Sequence, residues 1–193
     1  MGRPREFDID KALDRAMGVF WVKGYEAASL QDLLKAMKIA RGSLYKAFND
    51  KRSIYLAALD HYDKTVVEDR VILLTNAKAG DGLARIRTLL EGVRDDVAWR
   101  DDRRGCFMCN AAIDQARSDT KVEAKVAKMM RRLEEAIVTA LKQSRKAARW
   151  SAKRRTETAR FILNTYMGLR VLARSGYAAS DLEAIAAAAV REL

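Results

Sequence analysis

Leu13, Ala16, Met17, Phe20 and Trp21 fall three and four positions apart, the spacing of one buried helical face. They predict a first helix over about residues 8–23, opened by Asp8 as a cap and closed by Gly24, a residue suited to a left-handed stop. A second stripe, Leu30, Leu33, Leu34 and Met37, follows Ser29, a good helix cap with Asp32 at the third helical position. The turn Met37-Lys38-Ile39 leads into a third helix over about 40–47. Asn49 or Asp50 then opens a long fourth helix reaching about residue 76. Further helices are predicted near 81–99, 105–117, 120–147, 151–175 and 180–192, about nine in all. The one starting at 120 carries Val122, Val126, Met129, Met130, Leu133, Ile137 and Leu141 on one face. Gly80, Gly82, Arg103-Arg104-Gly105, Ser118-Asp119 and Gly176 mark the breaks.

Composition agrees with an all-α fold. The only proline is Pro4, so nothing beyond it forbids long helices, and strong helix formers dominate. A length of 193 residues suffices for one sizeable core or for a small head on a larger body. The net charge is +11, which attracts polyanions, mainly nucleic acid or anionic membrane. Residues 1–65 hold 12 basic and 9 acidic side chains, so most of the excess lies later in the chain. Basicity therefore supports nucleic-acid binding without locating it. No run approaches the ~20 apolar residues that span a bilayer, and the N-terminus has no apolar signal core. A cytoplasmic protein with Cys106 and Cys109 reduced is expected. An enzyme is not expected: there is one histidine, His61, no nucleophile–base pair at useful spacing and no glycine-rich phosphate loop. No cofactor or metal is expected either, since a zinc site wants four ligands and His61 is far from the cysteines.

Residues 24–51 carry the functional signal. Two short helices crossing at a tight turn can place the second across a DNA major groove. Its start, Arg41-Gly42-Ser43-Leu44-Tyr45-Lys46, is small enough for close approach. Arg41 and Lys46 are donors to bases or phosphates, Ser43 can bond to either, and the Tyr45 hydroxyl can reach a phosphate. Leu44 can touch a thymine methyl or pack inward. Ser29 and Lys51 stand at helix starts that favour phosphate, and Lys38 adds a donor in the turn. Residues 9–55 resemble the N-terminal DNA-binding domain of the TetR family of transcriptional repressors. Phe20, Gly24, Tyr25, Ser29, Leu30, Leu33, Ala40, Gly42, Ser43, Leu44, Tyr45, Phe48 and Lys51 carry the likeness. One departure is Lys38, where many members have glycine; left-handed geometry there costs of order 1 kcal/mol.

The resemblance implies a three-helix helix-turn-helix domain over 1–55 and a ligand-binding, dimerising helical domain over 56–193. It implies a homodimer on a double-stranded operator, leaving it when a small-molecule effector binds. Residues 105–117 and 161–177 are similar to the sixth and eighth helices of one branch of the family. Carried over from the family's four-helix interface, the dimer residues are Leu169, Leu172, Ala173, Leu182, Ile185, Ala189 and Val190. Effector contacts are expected among Trp99, Phe107, Met108, Asn110, Met129, Leu133, Phe161, Asn164, Tyr166 and Met167, a set that favours an apolar or weakly polar ligand. Cys106 and Cys109 lie three apart, with Cys106 at a helix start after Arg103 and Arg104. That setting favours thiolate, so a redox- or electrophile-sensing regulator acting through Cys106 is the alternative, beside two buried apolar thiols.

Overall fold

The computed structural model describes residues 8–191 and Leu193. Among them are ten α-helices: α1 (Ile9–Ala27), α2 (Leu30–Met37), α3 (Arg41–Ala47), α4 (Lys51–Tyr62), α5 (Glu68–Thr75), α6 (Gly82–Arg100), α7 (Phe107–Asp114), α8 (Thr120–Lys142), α9 (Ala152–Arg174) and α10 (Ala179–Arg191). A π-helical turn, Asp63–Val67, joins α4 to α5, so counting that rod once leaves the nine expected. The fold is all-α, as the sequence implies, with no strand among the described residues. Gly24 leaves helical geometry inside α1 (φ 77°, ψ 173°), which is the stop expected near residue 23.

The chain forms two compact units. The first gathers residues up to Thr65 together with Phe107–Val126. α1 packs against α2, α4 and α7. Aromatic side chains fill its core: Phe20 meets Tyr55 edge-on at 4.9 Å and Trp21 meets Tyr62 at 5.2 Å. Phe107 closes the cluster from α7, with its ring 5.7 Å from Tyr55, 5.6 Å from Tyr62 and 6.2 Å from Trp21. Such edge-to-face pairs add to the burial of large rings. Polar ties hold the later segment to the earlier one: Arg52 donates to Asp119 (Nη2 to Oδ1, 2.9 Å), Gln115 to Glu26 (3.1 Å) and Lys125 to Asp60.

The second unit comprises Val66–Cys106 and Ala127–Leu193. Its core is aliphatic, drawn from α5, α6, α8, α9 and α10 and including Ile86, Leu90, Val93, Ile137, Leu141, Ile162, Leu169 and Leu182. The start of α6 lies so close to α8 that a Cβ on Gly82 would stand 1.7 Å from the Ala140 carbonyl oxygen. Asp81 caps α6 by accepting from Leu83 N–H (2.9 Å), and its other oxygen accepts from Arg145 N–H (2.8 Å). That capture ends α8 at Lys142, short of the 147 expected, and Ser144 Oγ turns the chain by accepting from Lys146 and Ala147. Arg85, only 2% exposed, lies in the same corner. It donates to the Leu74 carbonyl at the end of α5 (2.6 Å) and to Gln143 Oε1 (2.8 Å), while its Nε has no partner among the described residues. No helix of the described residues is long and apolar enough to cross a membrane.

Candidate nucleic-acid interface

α2 and α3 are eight and seven residues long, too short to be stable alone, so their placement depends on what holds them. α2 opens with a reciprocal capping box: Asp32 N–H donates to Ser29 Oγ (3.1 Å) and Ser29 N–H to Asp32 Oδ2 (2.9 Å). Lys23 of α1 pairs with Asp32 at 2.7 Å. The bond from Lys23, then those from Ser29, hold the Asp32 carboxyl well below the usual carboxylate range. At the other end, Arg15 donates to the Met37 carbonyl (3.4 Å). Lys38 then takes the left-handed conformation (φ 57°, ψ 42°) with its N–H on the Leu34 carbonyl. The turn does adopt the geometry that glycine would take more cheaply.

This turn sends α3 outward. Arg41, Gly42, Tyr45 and Lys46 are exposed and Ser43 half-buried. The Arg41 guanidinium lies 5.8 Å from the Tyr45 ring, one turn on, so the two side chains share one outer face. Leu44 does not belong to that face: at 1% exposure it is core, and Phe48 beside it is also buried. Of its two sequence-stated options, packing inward is the one realised. The start of α3 has no side-chain cap, whereas α2 and α4 both carry capping boxes. Ser29 and Lys51 are correspondingly occupied. The Ser29 hydroxyl is bonded within its box, and the Lys51 ammonium donates to the Glu26 carbonyl (3.1 Å) over the Tyr25 ring (4.6 Å). Lys51 thus ties α4 to the end of α1, and Lys38 stays exposed.

A profile of bacterial regulatory proteins of the tetR family matches residues 12–58, and one of the tetracyclin repressor-like C-terminal domain matches 82–189, more than half the chain. The chain belongs to the TetR family. It is a helix-turn-helix transcription regulator. It is 35% identical over 144 residues to YezE of Bacillus subtilis, an uncharacterised HTH-type transcriptional regulator, spanning 71% of this chain and 70% of YezE. It is 36% identical over 110 residues to the HTH-type transcriptional repressor ComR of Escherichia coli, across 56% of this chain and 51% of ComR. Among solved structures, the TetR family regulator CifR, as a cysteine mutant complexed with 26-bp double-strand operator DNA, superposes with a TM-score of 0.83. Identity there is 30%, and 98% of each chain is covered.

Other expected site residues fall less simply. Of the effector set, Phe107, Met108 and Asn110 belong to the first unit, where Phe107 is core and Asn110 Nδ2 donates to the Trp21 carbonyl (3.5 Å). Met129, Leu133 and Tyr166 are buried in the second unit, Met167 is half-buried, and Trp99, Phe161 and Asn164 are exposed. Of the family-derived dimer set, Leu169, Ala173, Leu182 and Ala189 are buried in the chain's own core, which leaves them little surface to offer a second copy. Leu172, Ile185 and Val190 are half-buried against that core. Cys106 and Cys109 form no disulfide and are 3% and 8% exposed, and the flanking cations are engaged elsewhere. Arg104 bonds Asp102 (2.7 Å) and Arg103 donates to the Tyr177 carbonyl (2.9 Å). No cluster of metal-ligating side chains occurs among the described residues. Sequence reasoning missed Arg15, Lys23 and Asp119, whose partners lie far off in the chain and leave no local pattern.

Proposed function

We propose that this regulator is a cytoplasmic repressor that reads its operator with the 41–46 face of α3 and leaves it when a small molecule binds the second unit. The observation that carries this is the outward face of a short helix, Arg41, Gly42, Tyr45 and Lys46, with Leu44 turned into the core. Arg41 supplies the base-reading donor, Gly42 and Ser43 allow close approach, and Tyr45 and Lys46 bond phosphates. Lys38 contacts the backbone from the neighbouring turn, and Ser29 acts chiefly by capping α2. Lys51 acts chiefly by holding α4 in place. The 30%-identical regulator solved on operator DNA and the repressor name of ComR support the reading.

A homodimer follows the family pattern, but through the outer faces of the last two helices. On α9, Phe161, Asn164, Gly168 and Val171 are exposed at spacings of three and four; on α10, Ala184, Ala187 and Ala188 are exposed. Small residues let helices approach closely, and Phe161 and Val171 are the apolar groups left to cover. Residues 1–55 act as the DNA-binding domain and 56–193 as the ligand-binding and dimerising one, with α7 borrowed to complete the core of the first.

Arg41→Ala is the test. Operator affinity in a gel-shift titration falls by at least about tenfold, and preference over random duplex shrinks, with the melting temperature unchanged. Unaltered operator affinity refutes the assignment. Phe161→Asp, read by sedimentation, shifts dimer to monomer; an unperturbed dimer refutes the outer-face interface.

A further inference from the structure

The second unit contains a cleft of about 200 Å³ between α5, α6 and α9. Three guanidinium groups line it: Arg70 of α5, Arg100 of α6 and Arg170 of α9. Two carboxylates accompany them, Asp95 and Asp96. Asp95 is taken up by Arg94 at 2.6 Å, and Arg94 also reaches Glu183 at 3.0 Å. Asp96 is buried and shared: Oδ2 accepts from Arg170 Nη1 at 2.7 Å and Oδ1 from Arg100 Nη1 at 3.2 Å. Arg70, half-buried in the wall, has no carboxylate within 4 Å among the described residues. The cleft thus keeps a positive excess beside a carboxylate that already engages two arginines. Trp99 stands on its rim 76% exposed, with the Arg94 guanidinium 5.8 Å from the ring, and buried Leu89 forms an apolar floor.

We infer that this cleft binds a small planar carboxylate of aromatic type, its carboxylate bridging Arg70 and Arg100 and its ring against Trp99. Arginine forks match carboxylates, and an indole face offers a planar surface at little entropic cost. The volume admits a substituted benzene ring. This assignment rests on the reading of an effector-controlled repressor and changes its chemistry, since the sequence pointed to an apolar or weakly polar effector. It also supplies a route. An anion at Arg100 competes with Asp96, which also holds Arg170, and the Arg170 carbonyl lies against Gly105, where a side chain would force its neighbours to shift. Gly105 takes a positive φ of 76° and leads within two residues into α7.

Benzoate titrated into the full-length protein by calorimetry tests the inference, with benzamide as the uncharged isostere. Benzoate binds, benzamide binds at least about tenfold more weakly, and Arg70→Gln weakens benzoate by about tenfold or more, the loss expected for one charged hydrogen-bonding partner. Trp99→Ala, at an exposed position that the fold does not need, weakens it several-fold and carries the test if the arginine variant does not fold. No benzoate binding at millimolar concentration, equal binding of benzamide, or indifference to both variants overturns the inference. Benzoate binding that obeys the variants but leaves operator affinity unchanged in a gel shift keeps the cleft and overturns the effector reading. Operator release by an uncharged compound, with benzoate inert, overturns the cleft and keeps that reading.

Discussion

The two units solve the problem of a helical core with different materials. The first stacks Phe20, Trp21, Tyr25, Tyr55, Tyr62 and Phe107 into an aromatic cluster, supporting two helices too short to stand alone. The second packs leucine, isoleucine, valine and alanine, and admits buried charge: Arg85 on neutral acceptors, and Asp96 with Arg170. A few large rings with fixed edge-to-face geometry pin helix positions, and the first unit must present α3 at a set angle. Aliphatic side chains impose no such fixed geometry, and the buried charges of the second unit are held by specific partners.

The harshest break in this contrast is Gly82→Val, which forces a side chain into the Ala140 carbonyl and costs more than about 4 kcal/mol, read as a collapse of the urea midpoint. A near-normal midpoint would show that the second unit yields more than its packing suggests. Phe107→Ala empties the centre of the aromatic cluster and costs about 3–5 kcal/mol. Operator affinity falls with it, although residue 107 is remote in sequence from α3; DNA binding unchanged at full occupancy of the fold would separate the cluster from α3. Lys38→Gly works in the opposite direction. It relieves the left-handed lysine and stabilises by about 1 kcal/mol, raising the melting temperature while removing one cation from the turn.

The smallest effect is in acid. Asp119 is held near a pKa of about 2, first by its bond from Arg52, and Asp32 is lowered by its bonds from Lys23 and Ser29. Both native values lie below the ordinary value of 3.8, so the unfolded chain binds protons first as pH falls. Their contribution is full above about pH 5 and is lost progressively toward and below pH 2. Asp119→Asn flattens the fall in melting temperature between pH 4 and 2.5, and an unaltered slope would dismiss the Arg52–Asp119 tie as a support of the first unit.

Much of this molecule was legible from spacing alone. Helix periodicity located the elements because each buries one stripe, and Asp8, Ser29 and Asp50 announce three starts through local capping. The 41–46 face was readable because small and basic residues at a helix start have few other uses. Leu44's inward turn, the end of α8 and the burial of Leu169, Ala173, Leu182 and Ala189 were not. A helical stripe reveals that a face is covered but not by whom; a neighbour in the same chain and a second copy leave the same pattern.

Local chemistry therefore determined the all-α class, the family and the exposed start of α3, since caps, turns and amphipathic stripes act over a few residues. Tertiary structure alone decided that Phe107 completes the core of the first unit, that Asp81 halts α8, and that Arg70, Arg100 and Arg170 share one cleft. Those outcomes join residues tens of positions apart, and no periodicity encodes a contact whose two halves belong to different helices.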